Sequence, residues 1–434
     1  MFASRTAIRP KGVGWALAFV VAMAGCSTHD DSLEYHGSGT VEIVPGVYSF
    51  SDSAPAPSAD DLSPLFRWIG DAQYVGLGES VHTSGGFNAA KARIVKGLIE
   101  RGTRVFALEA PRTPAARVEQ HLQTCQGPVR DALANRGIYG SFADDNMEAL
   151  LGWICEFNTA HPTDKVHFYG IDVQQPEWDY PELEAFMAAA NPQDSRRLID
   201  GLRSCQREAP ITRDQTKPYP KSELEECLRG LDAVDGYIAE NRAQLEAASS
   251  KDGIARAEMA AISFRSWQTE LEAIQNNDEK TVRNVRDVAM HRIFRRTRDL
   301  HFAGKKVVIS AHNTHVTAHN HEVTDNPIAG ATSFGTELAK EVGSAYVAVG
   351  VVGYYMEINR PGHEPVAMAS ATSLEGKLHA LGHPSLIVDT ESPWIGKEQV
   401  YMVGEPEGGN MVPSHQYRAL VFLEHSPPMK ALFW

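Results

Sequence analysis

Four short apolar runs in this chain each end in an acid, a histidine or both, and this pattern constrains the fold most. The runs are Tyr74–Gly78, Arg104–Leu108, Val166–Gly170 and Lys306–Ser310. The residues that follow them are Glu79 and His82, Glu109, Asp172, and His312 and His315. Strands of a parallel sheet end along one edge, where ligands bind. The sequence therefore predicts that these six side chains meet in one cleft.

The segments between these runs predict crossover helices. Phe87–Arg101 has apolar residues at helical spacing and stops at Gly102, and Asp144–Ala160 is the next such segment. A strand, helix, strand order predicts right-handed βαβ units with parallel strands. We therefore expect an α/β fold with a mostly parallel central sheet flanked by helices. Further strands are predicted after the Lys306 run, at Ala345–Gly353 and Ser385–Asp389.

The character of the sequence changes between residues 176 and 303. Charged and small helix-forming residues dominate this stretch, and β-branched runs disappear. Long segments with helical periodicity follow one another at Lys221–Ala248, Gly253–Asn276 and Lys280–Phe302. We predict a large helical bundle inserted in the sheet domain over the cleft, which divides the α/β core into residues 63–175 and 304–434.

The N-terminus predicts export. Three basic residues precede the apolar run Val13–Ala24, which is too short to span a bilayer, so residues 1–25 have the pattern of a secretory signal. The run closes on a Met-Ala-Gly-Cys segment that resembles a bacterial lipobox and ends at Cys26. Lipid on Cys26 would make a cell-envelope lipoprotein, and Ser27 favours the outer membrane facing the periplasm; an ordinary cleaved signal is the alternative. Residues 26–62, rich in Ser, Asp, Pro and Gly, are predicted to be a flexible tether.

Four further cysteines fit an oxidising compartment. Their short separations favour Cys125 paired with Cys155 and Cys205 paired with Cys227. Four buried free thiols are the alternative, and a zinc site is disfavoured because no two cysteines are close in sequence. The formal net charge of -14 argues against nucleic acid or an anionic membrane surface as a partner, so membrane contact would come from the lipid alone. The oligomeric state cannot be read from the sequence.

The acids and histidines after the strands favour acid–base chemistry. Glu79 and His82 lie on one loop, which Gly78 allows to turn sharply off its strand. A neutral imidazole can take a proton from water, and a carboxylate can fix its tautomer. Glu109 directly follows an apolar strand, and a buried acid needs a partner, for which Arg93 is the predicted residue.

The histidines near the Lys306 run have more than one interpretation. His312 and His315 can serve as metal ligands, as base and electrophile, or as packing residues. The nearby His319 and His321 are interpreted as incidental loop histidines, because their segment lacks a helical pattern.

These motifs, in order, resemble the signature blocks of the erythromycin esterase family, over about residues 60 to 434. The blocks are Gly78-Glu79-Ser80-Val81-His82, Arg93, Phe106-Ala107-Leu108-Glu109, Tyr169-Gly170-Ile171-Asp172, Arg286-Asp287-Val288-Ala289-Met290 and Ala311-His312-Asn313-Thr314-His315. The chain departs from the family pattern at His291-Arg292, and at Thr314, where glycine is frequent. These departures concern macrolide specificity more than hydrolysis.

The resemblance implies a hydrolase of ester or lactone bonds, with macrolides among the substrates of the family. It implies that His82 is the base that activates water, assisted by Glu79, and that Glu109 and His312 complete the catalytic centre. Orienting or substrate-binding roles are implied for Arg93, His315, Asp172 and Arg286. In the mechanism that these roles imply, water attacks the carbonyl carbon, and His312 or Arg93 would donate a hydrogen bond to the oxyanion that forms. Neither a cofactor nor a covalent nucleophile is needed.

Two other functions stay open at the level of sequence. The same Glu and His cluster could hold a divalent metal, which would make a metal-dependent hydrolase or peptidase. Alternatively, the chain could be a non-catalytic lipoprotein that binds haem or another ligand through its histidines. A serine hydrolase is disfavoured, because the sequence contains no Gly-x-Ser-x-Gly elbow.

Overall fold

The computed structural model describes residues 40–51, 60–134, 137–190, 192–202, 205, 220–359, 366–404 and 408–433. The predicted signal segment 1–25 and Cys26 lie outside these residues. Within the described part of the chain, no helix has the length and apolarity needed to cross a bilayer.

Twelve strands and fifteen helices of the α type are described. The strands are β1 Val41–Val44, β2 Val47–Ser49, β3 Tyr74–Leu77, β4 Thr103–Pro111, β5 His167–Asp172, β6 Lys306–Ser310, β7 Tyr346–Glu357, β8 Val366–Met368, β9 Ser385–Asp389, β10 Val400–Met402, β11 Gly409–Met411 and β12 Ala419–Ser426. The helices are α1 Ser63–Ile69, α2 Gly85–Glu100, α3 Arg112–Thr124, α4 Val129–Leu133, α5 Asp145–Ala160, α6 Tyr180–Ala190, α7 Pro192–Gly201, α8 Lys221–Glu240, α9 Arg242–Ala248, α10 Lys251–Gln275, α11 Glu279–His301, α12 Asn313–Val316, α13 Phe334–Val342, α14 Leu374–His379 and α15 Pro413–Gln416.

One large sheet organises the fold. Its strand order is β1-β2-β9-β12-β7-β3-β6-β4-β5, with β8 added beside β7. The six strands from β12 to β5 are mutually parallel, whereas β9, β2, β1 and β8 pair antiparallel to their neighbours. The predicted mostly parallel α/β sheet is therefore confirmed. Strands β10 and β11 form a separate hairpin.

The sheet is apolar on both faces because its strands alternate between two cores. In β4, Phe106 and Leu108 enter one hydrophobic cluster and Val105 and Ala107 enter the other. Helices α2, α3 and α5 cover the first face, and α11, α13 and α14 cover the second. This double cover accounts for the continuous apolar character of the strand sequences.

Six helices, α6 to α11, lie between β5 and β6 in the sequence. Residues of α6 to α10 share a core of their own, around Leu183, Leu231 and Phe264. The predicted helical stretch Lys221–Ala248 is divided into α8 and α9 at Asn241. Helix α11 differs from the others because Met290 and Phe294 pack on the sheet, which brings its first half to the strand ends.

Both predicted disulfides are confirmed. Cys125 at the C-cap of α3 is bonded to Cys155 in α5, and Cys205 after α7 is bonded to Cys227 in α8. Each bond joins neighbouring helices, one pair on the sheet and one pair in the inserted helices.

The predicted tether over residues 26–62 is wrong for part of its length. Residues 41–49 form the hairpin of β1 and β2, and β2 pairs with β9 at the sheet margin. Val47 is completely buried there. The hairpin is built from short Val-rich runs around a turn at Gly46, which has φ +77°, and the polar residues on either side conceal this signal in the sequence.

Candidate active site

The structure brings the six predicted side chains together at the carboxyl edge of β3, β6, β4 and β5. The strand bounds differ slightly from prediction, since β4 runs on to Pro111 and β5 to Asp172. Glu109 and Asp172 therefore lie inside strands, where the pairing register between β4 and β5 is irregular. The register shift falls between Leu108 and Pro111, the part of β4 that carries Glu109.

Glu79 fixes the orientation of His82. The His82 Nδ1 atom lies 2.9 Å from Glu79 Oε1, and the Glu79 side chain is almost fully buried. The other Glu79 oxygen, Oε2, contacts the ammonium of Lys91, which α2 supplies. A carboxylate held on both oxygens cannot rotate freely, so the imidazole acquires one tautomer, with Nδ1–H donating to Glu79.

His82 is the most accessible member of the cluster formed by Glu79, His82, Glu109, His312 and His315. Its side chain is 23% exposed, and its Nε2 atom is 3.9 Å from Glu109 Oε1. The ring packs edge-on against Phe142 and His312. The next residue, Thr83, has φ +65°, a conformation that costs a β-branched residue energy and that often marks a functional loop.

Gly78 has a different role from the predicted one. Its φ is not positive, so the loop does not need glycine for a sharp turn. A Cβ on Gly78 would instead collide with the side chain of Asn313 on α12. Glycine thus allows the loops after β3 and β6 to approach closely, and the bond from Asn313 N–H to the Glu79 carbonyl, 2.8 Å, joins them.

Glu109 is the hub of the site. Its Oε2 accepts the backbone N–H of His312 at 2.8 Å, and its Oε1 accepts from Arg286 Nη2 at 2.8 Å. Burial raises the pKa of Glu109, but its interactions with His315, His82 and Arg286 outweigh burial and hold the pKa well below the usual range. Glu109 is therefore ionised at neutral pH.

His312 is buried, and both of its ring nitrogens contact protein groups. Nε2 lies 3.1 Å from the Ser80 carbonyl, and Nδ1 lies 2.9 Å from Thr314 Oγ1. Burial lowers the pKa of His312 well below its usual value, and the neighbouring His82 adds to the effect. His312 is therefore a neutral side chain that ties the two loops together.

His315 interacts with two carboxylates. Its Nδ1 atom is 2.8 Å from Asp287 Oδ1, and its Nε2 atom is 3.4 Å from Glu109 Oε1. Burial lowers the pKa of His315, but Asp287 and Glu109 outweigh it and raise the pKa above its ordinary value. The guanidinium groups of Arg286 and Arg283 lower the pKa of His315 and oppose this effect, and Arg283 Nη1 lies 3.0 Å from His315 Nε2.

Arg286 joins Glu109 to Asp172. Its Nε and Nη2 atoms donate to the two oxygens of Asp172 at 3.0 and 2.6 Å, in the bidentate geometry that guanidinium groups favour. Asp172 also accepts the Tyr139 hydroxyl at 2.9 Å. The α11 helix is thus locked onto the strand ends through a charged network with little solvent exposure.

The predicted pairing of Arg93 with Glu109 is wrong. Arg93 Nη2 donates to Asp61 at 2.7 Å, and its Nη1 donates to the Ser51 carbonyl at 2.5 Å. Lys91 and Arg93 are two positions apart on α2, which places them about 200° apart around the helix. The Lys91 face meets the site, whereas Arg93 meets the segment before α1.

Sequence reasoning assigned no role to Lys91, Arg283, Asp287 or Tyr139. Asp287 stands beside Arg286 in one of the segments that resemble the erythromycin esterase family, so the sequence did point to its position. Lys91 carried none, because a lysine in a helix is usually solvated. Burial lowers the pKa of Lys91 to about 7, and the carboxylates Glu109 and Asp144 oppose this shift.

Two cavities adjoin the cluster. One is lined by Lys91, Phe142 and Asp144 among others. The other is lined by His312, Thr314 and Tyr417 among others. As for metal ligands, the described residues include one exposed group whose ligand atoms converge, His319, His321 and Glu322, which does not belong to the cluster.

Several solved structures resemble the chain. A protein from Bacillus cereus is 22% identical, with 88% of this chain and 95% of that chain covered and a TM-score of 0.72. A succinoglycan biosynthesis protein (18%, 88% and 94%, TM-score 0.69) and a histidine mutant of an erythromycin esterase in its open conformation (18%, 88% and 97%, TM-score 0.69) are similar as well. At these identities the likeness concerns the fold.

The search of curated proteins returned no match. The model of the erythromycin esterase family, in contrast, matches residues 99–426, a segment that contains Glu109, Asp172, Arg286, His312 and His315. The match covers more than half of the chain. The chain therefore belongs to the erythromycin esterase family, and this membership implies a hydrolase.

Proposed function

We propose that the protein hydrolyses a carboxylic ester or lactone through a water molecule that His82 activates. One observation carries the proposal: Glu79 holds Nδ1 of a partly exposed His82, while Nε2 points towards the ionised Glu109. With Nδ1–H donating to Glu79, Nε2 is the basic nitrogen. An imidazole poised in this way is suited to general base catalysis near neutral pH.

The spacing of His82 and Glu109 suits one water molecule. A separation of 3.9 Å between His82 Nε2 and Glu109 Oε1 is too long for a hydrogen bond and allows one water to contact both. Nε2 takes one water proton as the oxygen bonds to the carbonyl carbon. The carbon–oxygen bond of the ester then breaks, and the leaving oxygen takes the proton back from His82, which gives an acid and an alcohol.

The supporting residues have positioning roles in this proposal. His312 orients Glu109 through its backbone N–H, and Arg286 and His315 keep Glu109 ionised. The contacts do not support the oxyanion role expected for His312 or Arg93, since the His312 ring nitrogens contact Ser80 and Thr314 and Arg93 contacts Asp61. Asp172 acts by fixing Arg286.

Macrolide lactones are the first substrate class to test. The support is the family match and the solved erythromycin esterase of similar fold. The departures at His291-Arg292 lie on α11, but the His291 ring contacts Glu341 of α13 and Arg292 is exposed, so these two residues give no support for a different substrate class.

The decisive experiment compares His82→Ala with the native chain on macrolides and on a panel of esters and lactones. Loss of a general base lowers turnover by about 100- to 10,000-fold. His161→Ala, at an exposed histidine beyond α5, is the matched control and retains full activity. Turnover by folded His82→Ala at the native rate would refute the mechanism. A metal-dependent hydrolase would instead lose activity to a chelator, and a haem-binding lipoprotein would hydrolyse nothing in the panel.

We also propose that the protein is an exported lipoprotein held in the outer membrane by lipid on Cys26. The lipobox-like N-terminus and the two disulfides support this location. Cys26→Ala should move the protein from the membrane fraction to the soluble periplasmic fraction. A membrane-bound Cys26→Ala protein would contradict the lipid anchor.

A further inference from the structure

A second cluster of metal-binding side chains lies outside the proposed active site. The 3-10 turn Asn320–Glu322 follows α12 by a few residues and carries His321 and Glu322, and His319 precedes it. The ligand atoms of His319, His321 and Glu322 all lie within 4.8 Å of one another. All three residues are exposed, so an ion could reach them from solvent.

The backbone that carries these ligands is fixed by hydrogen bonds. The Gln416 side chain accepts the His319 N–H at 3.3 Å and donates to the His319 carbonyl at 2.9 Å. The Glu322 N–H donates to the His319 carbonyl at 2.9 Å, which closes the turn. The Cα positions of the three ligands are therefore set before any ion binds, and only side-chain rotations remain.

A third histidine orients the carboxylate. His415 on α15 places Nδ1 at 2.7 Å from Glu322 Oε2. A carboxylate accepts on both oxygens, so this contact is compatible with an ion on Oε1. Partners of this kind around metal ligands fix their geometry and raise affinity.

We propose that His319, His321 and Glu322 bind a divalent transition metal of the zinc type, with His415 as a positioning residue. Two ligands of a tetrahedral zinc ion are about 3.4 Å apart, as follows from bond lengths of about 2.0–2.1 Å. Small rotations of the exposed imidazoles close the remaining distance. Two imidazoles with one carboxylate suit zinc, whereas magnesium and calcium prefer oxygen ligands.

The site would join two segments of the cleft wall. Residues 319–322 follow the α12 helix that carries His315, and α15 follows Met411. Asn320, Met411 and Tyr417 line the cavity that also contains His312. An ion here would stabilise this wall without contacting the groups proposed for catalysis, so its role would be structural.

Zinc titration of the mature, tag-free chain tests the inference by calorimetry, with magnesium as the comparison ion. We expect one zinc ion per chain, a higher melting temperature with zinc, and no response to magnesium. His319→Ala/His321→Ala should abolish this binding, and His415→Ala should weaken it by about tenfold.

The matched control is His379→Ala/His425→Ala. These two exposed histidines each pair with a single glutamate, Glu424 and Glu357, at 2.7 Å. The control should bind zinc as the native chain does. Equal zinc affinity in His319→Ala/His321→Ala and the native chain would overturn the inference, as would an equal loss in the control. Hydrolysis by zinc-free protein tests the proposed function separately.

Discussion

Lys91 is the residue whose environment most extends the proposed chemistry. It is buried on α2 and contacts the Glu79 oxygen that His82 does not use. Its positive charge favours the ionised form of Glu79 and so helps to keep the His82 tautomer that leaves Nε2 basic. Lys91 acts through Glu79 and is a positioning residue.

Lys91→Met should lower turnover by about tenfold or more, because it removes the ion-pair partner of the buried Glu79 carboxylate. KM should change little, and the pH profile should shift, since His82 loses a fixed partner. Lys96→Met is the control, because Lys96 is on the same helix, α2, and its ammonium group lies over Trp153 of α5. Steady-state kinetics over a range of pH values measures both effects. An unchanged pH profile in Lys91→Met would show that Lys91 only supports the fold.

At the residue scale, sequence reasoning located the side chains that follow strands and failed on those that helices supply. A strand end fixes where Glu79 and His312 must lie, because the sheet edge is common to all strands. A helix presents several faces, and Lys91 and Arg93 both stand among apolar neighbours. The rotation of α2 about its own axis, relative to the sheet, determines which of the two residues faces the site. That rotation depends on how the helix packs.

Among the elements, the loops after β3 and β6 depend on one close approach. Gly78→Ala would place a methyl group against Asn313 and separate the two loops. We expect a loss of about 1–3 kcal/mol in the free energy of unfolding, the usual cost of overpacking. Gly236→Ala in α8 has no heavy atom within 4 Å of its new Cβ and should stabilise the chain by about 0.5–1 kcal/mol.

Urea denaturation of both variants measures these free energies. Hydrolysis should also fall in Gly78→Ala, because the bond from Asn313 N–H to the Glu79 carbonyl would lengthen. If Gly78→Ala proved as stable as the native chain, the close-approach explanation would be wrong.

Some strands were predicted with the correct bounds, and others were missed. The strands β6 and β9 have the predicted bounds, because β-branched residues fill each run up to a polar terminus. Strand β12 was not predicted, although Leu420–Leu423 is an apolar run of the same kind. The short strands β1, β2 and β8 carry too few residues to show a period, and their pairing depends on distant partners.

At the scale of the whole molecule, a buried carboxyl group on α10 should make the free energy of unfolding depend on pH. Glu270 on α10 is almost fully buried, and burial raises its pKa to about 8. Asp172 and Asp287 add to this shift, whereas Arg286 opposes it. The folded state binds a proton that the unfolded state has lost above its ordinary pKa of 4.5.

Glu270→Gln should therefore gain stability relative to the native chain as pH rises from about 4.5 to 8. The native protein loses stability over this window because folding holds the carboxyl protonated, and glutamine does not titrate. We expect a relative gain of about 2 kcal/mol across the window, below the full 1.4 kcal/mol for each unit of pKa shift. Urea midpoints at pH 5, 7 and 9 measure it. Glu272→Gln, an exposed neighbour on α10, should show no such trend, and a flat response of Glu270→Gln would contradict the assignment.

The position of β12 has a consequence for biosynthesis. This strand lies between β7 and β9, parallel to one and antiparallel to the other. Before residues 419–426 have been synthesised and have left the ribosome, β9, β2 and β1 have no hydrogen-bonded connection to the other described strands of the sheet. The nascent polypeptide therefore cannot close its central layer until β12 is available.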